Sequence, residues 1–328
     1  MKISEIGIAF DNEPSSVTAP KKKTKIHKHI KVFVMKCLTL ALTLISLSYI
    51  PYVLLGIFNR VFGVINSVFL CYAGDRKYAK HYLFSFSEKS FRWVPVPIGV
   101  FEQGGKWGLL FGTPMIEDDF TSHENHKRLK KLTKRLNTIA WLMGIKDVNY
   151  AGILPSYLYQ TGDISSDNHN AKPGLVVFKA YQELTQRVFQ SEVPVILLGG
   201  AGSVGSYIQT HLREQGIEYY VVDPRIGINA LPSELVEQPA ILIDTARKGV
   251  LEQYQGQFWQ GLTILNETYP EPPKAFVERL NSIGVDVFHL SGVEGKCLPS
   301  LPHGYSNSIP CCAIHADVFE AKPVLMEL

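Results

Sequence analysis

From Cys37 to Phe58 the chain carries no charged side chain, and after Asn59 and Arg60 a second apolar run follows from Val61 to Ala73. A run of about 20 apolar residues is long enough to span a bilayer. A helix apolar on all sides is more at home in lipid than in a core. The pattern predicts a polar, basic and disordered tail over 1–29 and a hydrophobic membrane anchor over 30–74, either a hairpin or a single span. Deleting residues 1–74 is then expected to leave a soluble fold.

Beyond Ala73 the period of the pattern changes. "FRWVPVPIGVFEQGGKWGLLFGTPMIEDDF" reads as short strands broken by Pro and Gly. "HENHKRLKKLTKRLNTIAWLMG" reads as a helix, with Leu129, Leu132, Leu136, Ile139, Ala140 and Met143 on one face. A further helix, "DNHNAKPGLVVFKAYQELTQRVFQ", leads into the apolar run Val195–Leu198. Strands are then predicted at Tyr219–Val222, "AILID", "LTILN" and Val285–Leu290, and a last helix after Pro310. Strands alternating with helices imply a parallel sheet covered on both faces. The fold class expected is α/β: a Rossmann-type, mainly parallel sheet over 171–308, preceded by a smaller α/β substrate domain over 75–170 and the N-terminal hydrophobic segment. Residues 309–328 are expected to form a C-terminal helix returning to the cleft.

Charge sharpens the picture at the front. The net charge is only +3, yet no acid occurs between Glu13 and Asp75, while Lys21, Lys22, Lys23, Lys25, Lys28, Lys31 and Lys36 crowd that window. Positive flanks stay on the cytoplasmic side. A hairpin anchor keeps both ends there, so the localisation expected is membrane, with the catalytic domains facing the cytoplasm. The basic run is too short to imply nucleic-acid binding. Five cysteines without regular spacing give no disulfide framework and no zinc pattern. A second basic surface, Lys127, Arg128, Lys130, Lys131, Lys134 and Arg135, covers the outer face of the helix after His123. It is either a solvated face or a dock for something acidic.

The most specific motif is Gly200-Ala201-Gly202-Ser203-Val204-Gly205, directly after the strand Val195–Leu198. In this fingerprint the first glycine permits the tight turn and the second lets the backbone approach a pyrophosphate. The third lets helix and strand pack closely. Amides of Ser203 and Val204 at the helix start then face the phosphates. Asp223, about 20 residues on at the end of the next strand, stands where a ribose-binding carboxylate belongs. It favours NAD as cofactor, although Arg225 is placed to reach the 2′-phosphate of NADP.

Ligands of open α/β sheets sit beyond the carboxyl ends of the strands. Asp244, Thr245, Asn266 and Glu267 are therefore expected near the nicotinamide or the substrate. In the tail, Cys311 and Cys312 precede His315. A cysteine in the first turn of a helix has a lowered pKa, and Cys312 and His315 share a face at helical spacing. Cys312, His315 and Asp244 are the candidate catalytic residues.

The order of parts, from about residue 75 to the end, resembles the amino-acid-dehydrogenase-like two-domain Rossmann enzymes, among them shikimate dehydrogenase and methylenetetrahydrofolate dehydrogenase. A weaker similarity is to the long-chain acyl-[acyl carrier protein] reductases, carried by Cys312, Ala316 and Glu320. That second resemblance implies a thioester on Cys312, reduction to an aldehyde, and an acyl carrier protein or coenzyme A thioester as partner beside membrane lipid. Three functions stay open. One is a membrane-associated NAD(P)-dependent oxidoreductase acting through a cysteine thioester. The others are a non-covalent dehydrogenase of a small substrate and an NAD-binding sensor without turnover.

Overall fold

A computed structural model describes residues 22–328 apart from 165–167, 190, 302–304, 306 and 316–317. The chain forms two compact units, residues 1–163 with 296–301, and residues 164–295 with 302–328. The predicted tail falls largely outside the described residues, but its end does not. Helix α1 begins at Lys22 and runs to Leu47.

In unit 1, α1 (Lys22–Leu47) and α2 (Ile50–Phe62) lead into β1 (Ile65–Tyr72), α3 (Arg76–Tyr82) and α4 (Ser85–Ser90). The hairpin β2 (Val96–Gln103) and β3 (Lys106–Thr113) follows, then α5 (Glu117–Thr121), α6 (His126–Leu142), β4 (Asp147–Tyr150) and α7 (Leu154–Gln160). Here the sequence expectation needs its largest correction. Most of the run Val61–Ala73 is not part of an anchor, because Ile65–Tyr72 form the interior strand β1. It pairs in parallel with β3 on one side and β4 on the other, with Val68 opposite Leu109 and Val148. Val68 and Leu70 are wholly buried. A strand covered on both faces reads as a continuous apolar run, and such a run looks like lipid-facing sequence until its pairing is known. The fold of unit 1 therefore starts well before residue 75, and the expected soluble deletion would remove a sheet strand.

Unit 2 begins with α8 (Ala171–Val188) and β5 (Val195–Leu198), then α9 (Ser203–Glu214), β6 (Tyr219–Val222), β7 (Ala240–Asp244), β8 (Leu262–Asn266), α10 (Lys274–Ser282) and β9 (Asp286–Glu294). The strands lie in the order β9-β8-β7-β5-β6, all parallel. This is a Rossmann-type sheet, and its order reverses between β5 and β7. Every residue of β5, β7 and β8 is buried, as continuous Val, Ile and Leu runs require.

After β9 the chain supplies β10 (Lys296–Leu298), which pairs antiparallel with β2 and completes the unit 1 sheet in the order β10-β2-β3-β1-β4. Back in unit 2, β11 (Ser308–Ile309) and β12 (Pro323–Glu327) pair antiparallel with β9. The predicted C-terminal helix is absent from the described residues. Cys311–Ala313 make a single 3-10 turn, and the chain ends in β12. Pro323 blocks a helix arriving from upstream.

Candidate functional site

In the glycine loop of unit 2 the positive φ falls on Gly199, one residue ahead of the Gly200 expected at the tight turn. Gly199 takes a φ of +84°, and a Cβ there would fall 2.7 Å from the backbone nitrogen of Ala246. A Cβ on Gly205 would lie 2.7 Å from the Cα of Gly200, so this glycine lets α9 close on the loop. Gly202, the N-cap of α9, is different. A Cβ there meets the Gly199 carbonyl at 3.1 Å and Arg225 Nη2 at 3.4 Å, and nothing else within 4 Å. Gly202 thus keeps a side chain away from the start of α9, where a phosphate would approach the helix amides.

Asp223 closes the other side of this loop and is 2 % exposed. Its Oδ2 accepts the Ala201 N–H at 3.1 Å and Arg225 Nη2 at 2.6 Å, and its Oδ1 accepts Arg225 Nε at 3.0 Å and Arg225 N at 2.9 Å. The Arg225 guanidinium holds its carboxyl below the usual carboxylate range. Asp223 and Arg225 therefore form one ion-paired unit.

The loops after β5, β7 and β8 are tied to one another. Thr245 donates from N at 3.0 Å and Oγ1 at 3.1 Å to the Leu198 carbonyl. Thr268 Oγ1 donates to the Ala246 carbonyl at 2.6 Å, and Glu267 N donates to the Asp244 carbonyl at 3.0 Å. This is the carboxyl edge at the reversal of strand order, where open sheets bind ligands. Asp244, Lys248, Asn266, Thr268 and Glu271 line a cavity of about 170 Å³ there.

The groups at this edge share an uncommon electrostatic setting. Asp244, 2 % exposed, accepts one hydrogen bond from the Ala246 N–H at 3.0 Å. Burial, with Glu267 and Glu252 adding repulsion, pushes its carboxyl up to about 8. Desolvation raises Glu267 to about 7, and the Cys311 thiol donates to its Oε1 at 3.7 Å. Cys311 is itself pushed well above the ordinary thiol range, by its neighbour Cys312, by burial and by Glu267. Two carboxyls that hold protons near neutral pH form the kind of cluster that acid–base chemistry uses. Asn266 Nδ2 donates to the Thr268 carbonyl at 2.9 Å and reaches His289 Nδ1 at 2.8 Å. His289 is buried, its pKa is lowered by desolvation, and its Nε2 has no partner among the described residues. Tyr305, raised by burial, stacks on Tyr269 with ring centroids 4.9 Å apart.

The predicted residues thus fall into two groups within unit 2. Gly200, Gly202, Ser203, Val204, Gly205, Asp223 and Arg225 share one loop. Asp244, Thr245 and Asn266 share the carboxyl edge, where Cys311 bonds to Glu267. The helix expected to carry Cys312 and His315 on one face is not there, because the turn at Cys311–Ala313 is a single 3-10 turn that ends at Ala313. Without a helix there is no dipole to lower a thiol pKa. Ala316, part of the reductase-like spacing, lies outside the described residues. His289 was missed, although a histidine inside the apolar strand Val285–Leu290 is a visible signal, since a buried polar group needs a partner. Tyr305 gave no signal from its loop.

No protein-family profile matches the chain, and no curated protein matches it in sequence. Among solved structures, the L-tryptophan dehydrogenase from Nostoc punctiforme is similar at 14% identity over 68% of each chain, with a TM-score of 0.34.

Proposed function

We propose that the chain is a nicotinamide-dinucleotide-dependent oxidoreductase and that unit 2 binds the cofactor. The observation that carries this reading is the glycine loop: Gly205 is packed against Gly200, while a Cβ on Gly202, at the N-terminus of α9, would meet only the Gly199 carbonyl at 3.1 Å and Arg225 Nη2 at 3.4 Å. A pyrophosphate fits where a Gly202 side chain would otherwise stand. Ser203 and Val204 supply amides to it. Asp223 and Arg225 would hold the adenosine ribose, and Thr245, Asn266 and Asp244, at the carboxyl edge, would meet the nicotinamide and substrate. A nicotinamide bound there would supply hydride-transfer chemistry.

Both NAD and NADP suit this chain. To bind ribose hydroxyls, Asp223 must exchange Arg225 for the ligand. The guanidinium so released is placed to pair with a 2′-phosphate.

The carboxyl cluster favours direct, non-covalent hydride transfer, as in a dehydrogenase of a small substrate. Asp244 and Glu267 hold a proton near neutral pH, ready to accompany the hydride. The route through a Cys312 thioester needs a thiolate, and the neighbouring thiol of Cys311 is held protonated. Under that route the exposed Lys127, Lys130, Lys131 and Lys134 face of α6 would receive an acidic carrier protein or coenzyme A phosphates.

The test is titration of the purified chain with NADH and NADPH, followed by assays on ketones, imines and acyl thioesters. Binding with turnover supports the proposal, and loss of turnover in Cys312→Ser would restore the thioester route. Binding with no hydride transfer to any of them leaves a nucleotide sensor. No binding of either cofactor ends the proposal.

A further inference from the structure

Helices α1 and α2 are inside out. The face of α2 that unit 1 buries carries Tyr52, Gly56 and Asn59. Its outward face carries Val53, Leu54, Ile57, Phe58, Val61 and Phe62, with Val61 71%, Phe62 64% and Leu54 62% exposed. In α1 the most deeply buried side chains are Thr43 and Ser46, while Val34, Leu38, Leu44 and Ile45 point outward. A helix on the surface of a water-soluble unit shows the opposite arrangement. A monomer in water rarely keeps a continuous apolar face of this kind uncovered.

Neither helix is free to leave unit 1 and stand across a bilayer. Asn59 fixes α2 through Nδ2 bonds to the carbonyls of Ile65 at 2.9 Å and Met143 at 3.0 Å, and its Oδ1 accepts Ile65 N–H at 2.7 Å. A Cβ on Gly56 would lie 2.0 Å from the Leu142 carbonyl oxygen, so the two backbones touch at α6. The elbow between the helices is closed by Ser46 Oγ against Tyr52 Oη at 2.9 Å and by Arg135, which donates to the Ser46 carbonyl and stacks over Tyr49 at 4.8 Å. α1 packs on β2 and α3 along its inner face. Ile30–Leu47 has the length and mean hydropathy, 2.0, to cross a membrane. A crossing segment, however, would have to give up these contacts.

We propose that the outward faces of α1 and α2 seat unit 1, lying in plane, on an anionic lipid surface, with no segment crossing. The occupant is chosen by charge as well as by apolarity. Lys21, Lys22, Lys23, Lys25, Lys28 and Lys31 lead into the apolar face of α1, and no acid occurs from residue 14 to residue 74. Arg60, in the last turn of α2, donates from Nη2 to the carbonyl of Trp141 at 3.2 Å, and Trp141 is itself 71% exposed. A run of lysines ahead of an apolar face, with an exposed Trp near it, is what the headgroup boundary of an anionic leaflet accommodates. A protein partner would leave the one-sided charge of this rim unexplained. The inference stands independently of the cofactor reading.

The experiment uses the full purified chain and vesicles of phosphatidylcholine with about a third phosphatidylserine. Cys37, exposed on α1 while the other four cysteines are half-buried, takes an environment-sensitive maleimide. The expected result is flotation with these vesicles, a blue shift of the label, and weakening by high salt. Leu54→Glu with Val61→Glu, both outward and partnerless in packing terms, should reduce flotation at least about tenfold with unchanged circular dichroism. Trypsin added outside the vesicles should cut both the lysine-rich start and unit 2. Protection of that start while the remainder is digested would mean a crossing and overturn the proposal. So would a chain that ignores vesicles and self-associates through the same face, or variants that float as the parent does.

Discussion

A methyl group added at Gly202 and one added at Gly205 meet different neighbours, and the difference separates binding from folding. At Gly205 the Cβ would be 2.7 Å from both the Cα and the carbonyl oxygen of Gly200. Gly205→Ala should therefore push α9 from the loop and cost about 1–3 kcal/mol, as overpacking does, read as a lower melting temperature without ligand. Gly202→Ala should melt like the parent and lose NADH and NADPH binding at least about tenfold by fluorescence titration. Equal binding in Gly202→Ala and the parent would remove the phosphate site. Arg225→Ala should weaken NADPH and spare or improve NADH, because it frees Asp223 for ribose hydroxyls while removing the partner of a 2′-phosphate. The carboxyl edge gives a prediction in pH. Asp244 rises from 3.8 to about 8 on folding, and Glu267 from 4.5 to about 7. Each folded group binds its proton more tightly than the unfolded one, so its contribution is complete below about pH 4. It is lost as pH rises through the folded values, with a slope of up to ~1.4 kcal/mol per pH unit per group. Melting of unit 2 should fall as pH rises from about 4 to about 8 and level off above that, and Asp244→Asn should flatten that fall. A parent whose stability rises over the same range would show that Asp244 is not held protonated.

Among elements, the strand–loop–helix around Gly200 was legible because its signal is local: spacing, an apolar run before it and an amphipathic helix after it. The carboxyl-edge residues were legible for a related reason, since a parallel sheet puts the ends of its strands on one side. What could not be read locally was pairing. Val61–Ala73 and the greasy residues before it form one apolar region in sequence, yet β1 is zipped between β3 and β4 while α1 and α2 keep apolar faces outside. The residue after Pro310 looked like a helix start for a similar reason, as proline opens helices and 3-10 turns alike. Only the pairing of β12 with β9 decides that the chain goes on extended. Removing residues 1–74 should accordingly give an insoluble product, since β3 and β4 lose the strand between them. Removing residues 1–21, which precede α1, should leave melting unchanged. A soluble, cooperatively melting 75–328 fragment would contradict the placement of β1. Asn59→Leu offers a finer probe of the same region. It leaves the Ile65 and Met143 backbone groups short of a partner, at a cost of about 1–3 kcal/mol, without touching the outward face of α2.

At the scale of the whole molecule, the chain does not divide at one point. It completes the first four strands of the unit 1 sheet, builds the parallel sheet of unit 2, and then returns with β10 to finish the first sheet. Lys296 pairs with Glu102 and Leu298 with Val100. The approach is close enough that a Cβ on Gly99 would sit 2.5 Å from the Leu298 carbonyl oxygen. Without β10, β2 becomes an edge whose N–H and C=O groups are open to pairing with other chains. A fragment of residues 1–163 should therefore associate or precipitate even in mild detergent that covers the outward faces of α1 and α2. Supplying residues 164–328 in trans should rescue it, because that fragment brings β10 with it, and the two should copurify. Cys297→Pro in the second fragment removes a ladder donor in the middle of β10 and should reduce the copurified yield several-fold, while unit 2, whose sheet does not include that residue, keeps its own cooperative melt. If 1–163 alone proved monomeric and as stable as the same unit in the intact chain, the returning strand would be decoration on unit 1 rather than part of its fold.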